Sequence, residues 1–143
     1  MTYLDTSALL KLLVSQEESE ALATTLRGLP DRATSCELTI AELTRATTRA
    51  GADSASAALL LQQLDLLQLD RALLLRAGKL PSPAGTFLRT ADAIHLVAAM
   101  ELGESQFLTY DRRLAQTAAE RGFEVLSPGR PPTWFAAPRS GTE

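Results

Sequence analysis

Short apolar runs alternate with longer amphipathic segments along the chain. The apolar runs predict five strands, at residues 1–4, 33–36, 66–69, 106–109 and 124–126. The amphipathic segments predict helices at residues 8–14, 17–28, 39–50, 54–64, 71–77, 91–102 and 112–121. Thr6 or Ser7 is expected to cap the first helix, and Thr90 the helix at 91–102.

This alternation of strands and helices predicts an α/β fold with a parallel sheet covered on both faces. In such sheets ligands bind at the carboxyl ends of the strands. Residues 78–87 are predicted to form a loop because they contain prolines and a glycine. Residues 1–126 are predicted to form the domain, and residues 127–143 a Pro-rich, irregular and partly mobile tail. Within that tail, Trp134 and Phe135 are expected to dock on the body of the protein.

Composition narrows the class of protein. The chain has 143 residues, of which 45% are hydrophobic, and this suits one folded domain. A net charge of −3 argues against broad nucleic-acid binding, whereas twelve arginines beside two lysines are compatible with a phosphate ligand. The single cysteine, Cys36, excludes an internal disulfide and a zinc cluster, and is expected to be buried. No signal peptide or membrane span is recognisable, so a cytoplasmic location is expected.

Four carboxylates stand where a predicted strand ends or a predicted helix begins. They are Asp5, Glu42, Asp92 and Asp111. A charged group beside apolar segments is costly unless it is paired or binds a metal. If the fold gathers these acids, their oxygens form a site that suits Mg²⁺ or Mn²⁺. Two bare carboxylates 4 Å apart repel by about 4 kcal/mol at an effective dielectric constant of 20, so such a cluster needs a cation or a proton.

Each acid also has an ordinary structural explanation. Asp5 and Asp92 are typical of a helix cap and a first helical turn. Glu42 is compatible with an exposed residue paired to an arginine of its own helix, and Asp111 with a turn. Thr6, Ser7 and Thr109 are interpreted equally as caps or as hydroxyls that orient the acids. His95 is expected to be a partly buried helical histidine bonded to Asp92 or to backbone.

Four short motifs in order resemble those of the PIN-domain family, and within it the VapC-type ribonuclease toxins of toxin–antitoxin pairs. They are residues 3–9 (YLDTSAL), 41–43 (AEL), 92–96 (DAIHL) and 108–112 (LTYDR). Together they span nearly all of the chain up to residue 126, and the tail lies outside the resemblance. The resemblance implies a three-layer α/β/α fold with a parallel central sheet.

The resemblance also implies a function and a set of site residues. It implies that Asp5, Glu42, Asp92 and Asp111 form a catalytic and metal-binding site for Mg²⁺ or Mn²⁺, with Thr109 in support. It implies an endoribonuclease that inhibits translation by cutting tRNA or ribosomal RNA. The implied partners are a second copy in a homodimer and a cognate VapB-type antitoxin that blocks the active-site groove.

Metal-assisted attack of water on the phosphodiester is the expected mechanism, and it leaves 5′-phosphate and 3′-hydroxyl ends. Four basic residues close in sequence to the acids are candidates for holding the RNA backbone: Lys11, Arg45, Arg112 and Arg113. Two other classes remain open. An aspartyl phosphatase is one alternative, although Ser7 stands where it would normally have a second Asp. A non-catalytic RNA- or protein-binding module is the other, although it has no need of all four acids.

Overall fold

The computed structural model describes residues 1–81 and 88–136 of the chain. Its five strands form one sheet, and all neighbouring strands are parallel. The order across the sheet is β3-β2-β1-β4-β5. The strands are β1 (Thr2–Leu4), β2 (Thr34–Cys36), β3 (Asp65–Leu67), β4 (Gln106–Leu108) and β5 (Glu124–Leu126).

Helices connect the strands along the chain. The α-helices of the described residues are α1 (Thr6–Leu13), α2 (Ser19–Arg27), α3 (Leu38–Ala50), α4 (Ser54–Gln62), α5 (Arg71–Gly78), α6 (Thr90–Leu102) and α7 (Arg112–Glu120). A 3₁₀ turn follows at Trp134–Ala136. Strands β2 and β3 follow β1 on one side of it, and β4 and β5 lie on its other side. The strand order therefore reverses between β1 and β4, which is where open parallel sheets bind ligands.

Side-chain alternation along the strands creates two cores, one on each face of the sheet. Tyr3 and Phe107 face one side, where their rings stack with centroids 5.2 Å apart. Leu4 and Leu108, the next residues along the same strands, face the other side. All four are fully buried. The predicted α/β class, with helices on both faces of a parallel sheet, is confirmed.

Two of the predicted helix caps are wrong. The cap of α1 is Asp5, whose extended backbone lets its carboxylate accept the N–H of Ala8 at 3.1 Å, so Thr6 is already helical. The N-cap of α6 is Arg89, which makes no side-chain capping bond, and Thr90 is the first helical residue. Both helices therefore start earlier than predicted. In each, the N-cap is the last residue with extended backbone, and it lies one or two positions before the predicted cap.

Other boundaries differ by a few residues. Strand β3 covers Asp65–Leu67 rather than 66–69, and α5 extends through Gly78, which the sequence assigned to a loop. The rest of that predicted loop lies mainly at 82–87, outside the described residues. Helices α3 and α6 stop as predicted, at Gly51 and Gly103, which adopt left-handed conformations with φ of 67° and 69°.

Residues 127–136 lie against α7 and the start of α2. Arg130 donates to Glu18 at 2.9 Å and to the carbonyl of Tyr110 at 3.1 Å. Gly129 has a φ of 92°, and a Cβ there would stand 3.1 Å from Glu18, so this close approach needs a glycine. Trp134 lies over the Arg130 guanidinium, 4.2 Å from the ring centroid. The domain boundary at residue 126 stays a prediction, and residues 137–143 lie outside the described part.

Glu104 is a buried acid on the turn between α6 and β4. It is 6% exposed, and within residues 1–81 and 88–136 neither of its carboxylate oxygens has a hydrogen-bond partner. Burial raises the pKa of the Glu104 carboxyl above its ordinary value of 4.5. Its charged form therefore lowers the stability of the fold at neutral pH.

Replacement of Glu104 by Gln is expected to raise the free energy of unfolding by about 1 kcal/mol at pH 7.5, because a neutral amide is cheaper to bury than a carboxylate without a hydrogen-bond partner. A raised folded-state pKa means that the native protein binds the proton more tightly than the unfolded chain. Acidification through the folded pKa therefore stabilises the wild type, and the advantage of Gln shrinks towards pH 4.5. Urea unfolding at both pH values, with exposed Glu120→Gln as the control, measures this. An equal gain at both pH values would contradict it.

No helix among the described residues is long and apolar enough to cross a membrane.

Candidate active site

A cleft of about 220 Å³ opens at the carboxyl end of the central strands. All four predicted acids line it. Asp5 follows β1, Asp111 lies just beyond β4, Glu42 comes from α3 and Asp92 from α6. The remaining lining residues are Thr6, Ser7, Arg89, Ala91 and His95. Residues more than a hundred positions apart thus meet because β1 and β4 are neighbouring parallel strands.

Asp5 is held rigidly on the floor of the cleft and is 3% exposed. One of its oxygens accepts from the hydroxyl of Ser7 at 2.7 Å and from the N–H of Ala8. The other accepts from the hydroxyl of Thr109 at 2.6 Å. Burial raises the pKa of Asp5, although the positive potential of His95 and these hydrogen bonds act against it. Two of the predicted supporting residues, Ser7 and Thr109, therefore orient this carboxylate with their hydroxyls.

Thr109 links two of the acids. Its hydroxyl donates to Asp5 and accepts the backbone N–H of Asp111 at 3.0 Å. Ser7 similarly accepts the N–H of Tyr110 at 3.0 Å. The loop after β4 is therefore tied to the start of α1, and this sets the spacing between Asp5 and Asp111.

Glu42 is fixed by residues from two other helices. Its Oε1 accepts from the Thr6 hydroxyl at 2.6 Å and from His95 Nε2 at 2.8 Å. Burial on its own would raise the pKa of Glu42, but these two hydrogen bonds outweigh it and lower the pKa. Glu42 is therefore ionised at neutral pH. An exposed Glu42 paired to an arginine of its own helix is not what the structure shows.

His95 is buried, with 2% exposure, and it lies behind the acids. Because the Glu42 carboxylate only accepts, His95 Nε2 carries a proton. Its Nδ1 meets the Tyr3 hydroxyl at 2.7 Å and the Cys36 sulfur at 3.8 Å. Burial lowers the pKa of His95, but its contacts with Cys36 and Glu42 more than compensate and raise it. The predicted bond to Asp92 or to backbone is wrong, since packing of α6 against α3 turns the ring to Glu42.

Asp92 and Asp111 share one arginine at the mouth of the cleft. Arg89 Nε lies 3.5 Å from Asp92 Oδ2, and Arg89 Nη2 lies 3.3 Å from Asp111 Oδ2. The other oxygen of Asp111 accepts the N–H of Leu114 and caps α7. Asp92 Oδ2 is buried and has no hydrogen-bond partner among the described residues, because the Arg89 contact is a long ion pair. Burial, and next the charge of Asp111, raise the pKa of Asp92.

These donors fit a divalent cation that keeps much of its water. Within residues 1–81 and 88–136, no three Asp, Glu, His or Cys side chains are close enough to make a ready-made ligand set. Mg²⁺, however, is usually held by only one or two carboxylates and several waters. The unpartnered Oδ2 of Asp92 and the adjacent Asp111 supply such a pair, and Asp5 and Glu42 stand in the same cleft.

The predicted RNA-contacting residues have different surroundings. Lys11 is 7% exposed, and it donates to Gln16 at 2.7 Å and to Glu18 at 2.8 Å outside the cleft, so its predicted RNA contact loses structural support. Arg45 is exposed on α3. Arg112 lies 5.6 Å from the ring centroid of Trp134, and Arg113 is partly exposed on α7.

Two residues of the cleft were missed as site residues by the sequence reasoning. His95 was assigned an ordinary helical position, although its place three residues after Asp92 put it on the same helix face. Arg89 is absent from the predicted site, although it stands three residues before Asp92, a spacing that allows an ion pair. Helical spacing was the available signal in both cases.

Comparison with known proteins identifies the family. The family profile of the PIN domain matches residues 2–120. Ribonuclease VapC46 of Mycobacterium tuberculosis is 41% identical over 130 residues, covering 88% of this chain and 96% of the relative.

Solved structures share the fold at low sequence identity. The crystal structure of Mycobacterium tuberculosis VapC20, a toxin that cleaves the sarcin–ricin loop, gives a TM-score of 0.74 at 16% identity, covering 90% of this chain and all of that one. A toxin–antitoxin complex from Klebsiella pneumoniae gives 0.67 at 18% identity, with 90% and 98% covered. The three-layer fold that the resemblance implied is thereby confirmed. The chain belongs to the PIN-domain family and, within it, to the VapC-type ribonucleases, as its four acidic motifs predicted.

Proposed function

We propose that this protein is an endoribonuclease toxin that hydrolyses phosphodiester bonds in structured RNA, tRNA or ribosomal RNA, with the help of Mg²⁺ or Mn²⁺. The convergence of four carboxylates from two strand ends and two helices on one cleft carries this proposal. Its family membership supports the ribonuclease activity, because the named relative is a ribonuclease. Cutting such RNA inhibits translation.

The side chains of the cleft have distinct roles in this proposal. Asp5, Asp92 and Asp111 would hold the cation, and Glu42 would complete the acidic site directly or through water. A divalent cation there supplies an activated water and neutralises charge on the phosphate. Thr109 and Ser7 fix the Asp5 carboxylate, while Thr6 and His95 hold Glu42 in its ionised form.

RNA binding is assigned to three arginines that lie close in sequence to acids of the cleft. Arg112 and Arg113 follow Asp111 on the first turn of α7, and Arg45 lies one turn beyond Glu42 on α3. Arginine suits phosphate because its guanidinium makes two parallel hydrogen bonds. The net charge of −3 means that such a basic rim is local rather than general.

The proposed partners are a cognate VapB-type antitoxin that covers the cleft and a second copy of this chain in a homodimer. One of the structural neighbours is a toxin–antitoxin complex, which supports the first of these. A cytoplasmic location is proposed because translation is the target.

Cleavage of total bacterial RNA by the purified, antitoxin-free protein tests the function. We expect discrete fragments with Mg²⁺ or Mn²⁺ and at least about a hundredfold less cleavage in EDTA, because the acids need a cation to bring a phosphate close. The fragments should end in 5′-phosphate and 3′-hydroxyl groups, because in the proposed reaction water attacks the phosphorus and the 3′-oxygen is the leaving group. A parallel assay on a small phosphoester addresses phosphatase activity.

Cyclic phosphate ends, or full cleavage in EDTA, would contradict the proposed chemistry. Turnover of the small phosphoester without cleavage of RNA would favour the phosphatase. RNA binding that survives removal of all four acids, without cleavage by the wild type, would favour a non-catalytic binding module.

A further inference from the structure

Arg89 is the basic side chain that bridges two acids of the cleft. It precedes α6, and its guanidinium lies 3.5 Å from Asp92 and 3.3 Å from Asp111. These two carboxylates come from residues that are 19 positions apart in sequence, so the bridge depends on the tertiary fold. Among the described residues, the four acids form three ion pairs. Arg89 makes two of them, and His95 makes the third with Glu42.

The bridge is loosely held. The Arg89 side chain is 60% exposed, whereas the side chains of Asp92 and Asp111 are 13% and 25% exposed. The contact with Asp92 is too long or poorly aligned for a hydrogen bond, since Asp92 Oδ2 has no hydrogen-bond partner among the described residues. An exposed arginine can turn into solvent without exposing apolar core, so its displacement has a low energetic cost.

We propose that Arg89 is a displaceable counter-cation: it neutralises Asp92 and Asp111 in the free protein, gives way to a divalent cation there, and then binds a phosphate of the RNA. This inference rests on the proposed function. The carboxylate pair cannot satisfy both cations at once, because Arg89 already stands against Asp92 Oδ2 and Asp111 Oδ2. Because Arg89 is one of the residues that line the cleft, its displaced guanidinium would still be within reach of a phosphate bound there.

The first consequence concerns metal affinity without RNA. Replacement of Arg89 by Gln removes one positive charge at a site that is largely exposed to water. At a water-like dielectric constant, repulsion between that charge and a divalent ion about 6 Å away corresponds to about a tenfold change in affinity. We therefore expect Arg89→Gln to bind Mn²⁺ about tenfold more tightly than the wild type. Arg89→Lys keeps the charge and should stay close to the wild type.

The second consequence concerns RNA. With Mn²⁺ at saturation, Arg89→Gln should raise the KM for a short RNA substrate by about tenfold, because a charged hydrogen bond to phosphate is lost. The kcat should change less, since the four acids remain. Arg89 is therefore assigned as a residue that binds and positions the substrate as well as a competitor of the metal.

Electron paramagnetic resonance of free Mn²⁺, titrated into protein without RNA, measures the first consequence, and steady-state cleavage measures the second. Arg27→Gln is the matched control, because Arg27 is outside the cleft and donates to Thr24 on its own helix. Asp92→Asn reports whether the Mn²⁺ is bound in the cleft. Circular dichroism confirms that each variant is folded, which is expected because Arg89 makes no capping bond.

Each outcome decides the inference. An Mn²⁺ affinity of Arg89→Gln that equals or falls below that of the wild type overturns it, even where Asp92→Asn shows that the metal site itself exists. Tighter Mn²⁺ binding with an unchanged KM overturns the phosphate contact. If the wild type binds no Mn²⁺, both the proposed metal site and the role of Arg89 fail.

Discussion

Replacement of Asp5 by Asn is expected to lower RNA cleavage by about a hundredfold or more while leaving the protein folded. The carboxylate is 3% exposed and is oriented by Ser7, Ala8 and Thr109. Asn has nearly the same shape and still caps a helix well, so the backbone at the start of α1 should not move. What it removes is one negative charge from a site that must hold a divalent cation.

This substitution separates the two interpretations of Asp5. Asp5 is both the cap of α1 and a member of the acidic cleft. Burial raises the pKa of Asp5, so the charged form lowers stability at neutral pH, and Asn should unfold at the same or a higher temperature. Loss of cleavage without loss of stability then assigns the residue to chemistry rather than to capping.

Asp53→Asn provides the matched control for this experiment. Asp53 caps α4 by accepting the N–H of Ala55 at 2.9 Å, and it is exposed and outside the cleft. We expect this variant to cleave RNA at the wild-type rate. Cleavage by Asp5→Asn within a factor of two of the wild type, at equal concentrations of folded protein, would show that the Asp5 charge has no catalytic role.

Replacement of Glu18 by Ala is expected to destabilise the fold by about 3 kcal/mol, the largest expected stability effect. Glu18 accepts from Lys11 at 2.8 Å and from Arg130 at 2.9 Å, and its side chain is 11% exposed. Removing it leaves the buried ammonium of Lys11 without a charged partner, and a buried, unpaired charge is strongly destabilising. It also releases Arg130, which ties residues 127–136 to the domain.

The dependence on pH gives an independent check of this ion pair. Hydrogen bonds from Lys11 and next from Arg130 lower the pKa of Glu18 from 4.5 to about 2. A lowered folded-state pKa means that the pair contributes its full stability above pH 4.5, and that this contribution is lost as the pH falls from 4.5 towards 2. The difference in stability between wild type and Glu18→Ala should therefore shrink over that interval.

Urea unfolding of both proteins from pH 7 to pH 3 measures this difference. Glu20→Ala, an exposed position on the same helix, is the control and should change stability by less than about 0.5 kcal/mol. Adding Lys11→Met to Glu18→Ala removes the unpaired ammonium of Lys11. The double variant should therefore regain part of the free energy of unfolding that Glu18→Ala loses. If Glu18→Ala lowers the free energy of unfolding no more than Glu20→Ala does, the Lys11–Glu18 ion pair does not stabilise the fold.

Local patterns determined the elements of the fold and placed their boundaries to within two residues. Helices α3 and α6 end at Gly51 and Gly103 as predicted, because a left-handed residue stops a helix whatever its surroundings. The caps were less well predicted: Asp5, Ser7 and Thr6 are all capable of capping, and only the backbone conformation chooses between them. Periodicity therefore reveals an element more reliably than its first residue.

The four acids were found in the sequence because each stands next to an apolar element, and the parallel order of the strands brings Asp5 and Asp111 to one end of the sheet. Their catalytic role remains a prediction. The sequence did not reveal the charged partners of the acids. Glu42 meets His95 because α3 packs against α6, and Lys11 forms an ion pair with Glu18 outside the cleft.

By itself, then, the sequence determined the alternation of strands and helices, the two-faced burial of the sheet and the four acids that identify the family. These depend on periodicity and on residue type, which are local properties. Only the tertiary structure decided that His95 holds Glu42, that Thr109 joins Asp5 to Asp111, and that Arg89 lies between Asp92 and Asp111. Such contacts depend on side chains a few ångströms apart on different elements, and that distance is set by packing of the whole domain rather than by position along the chain.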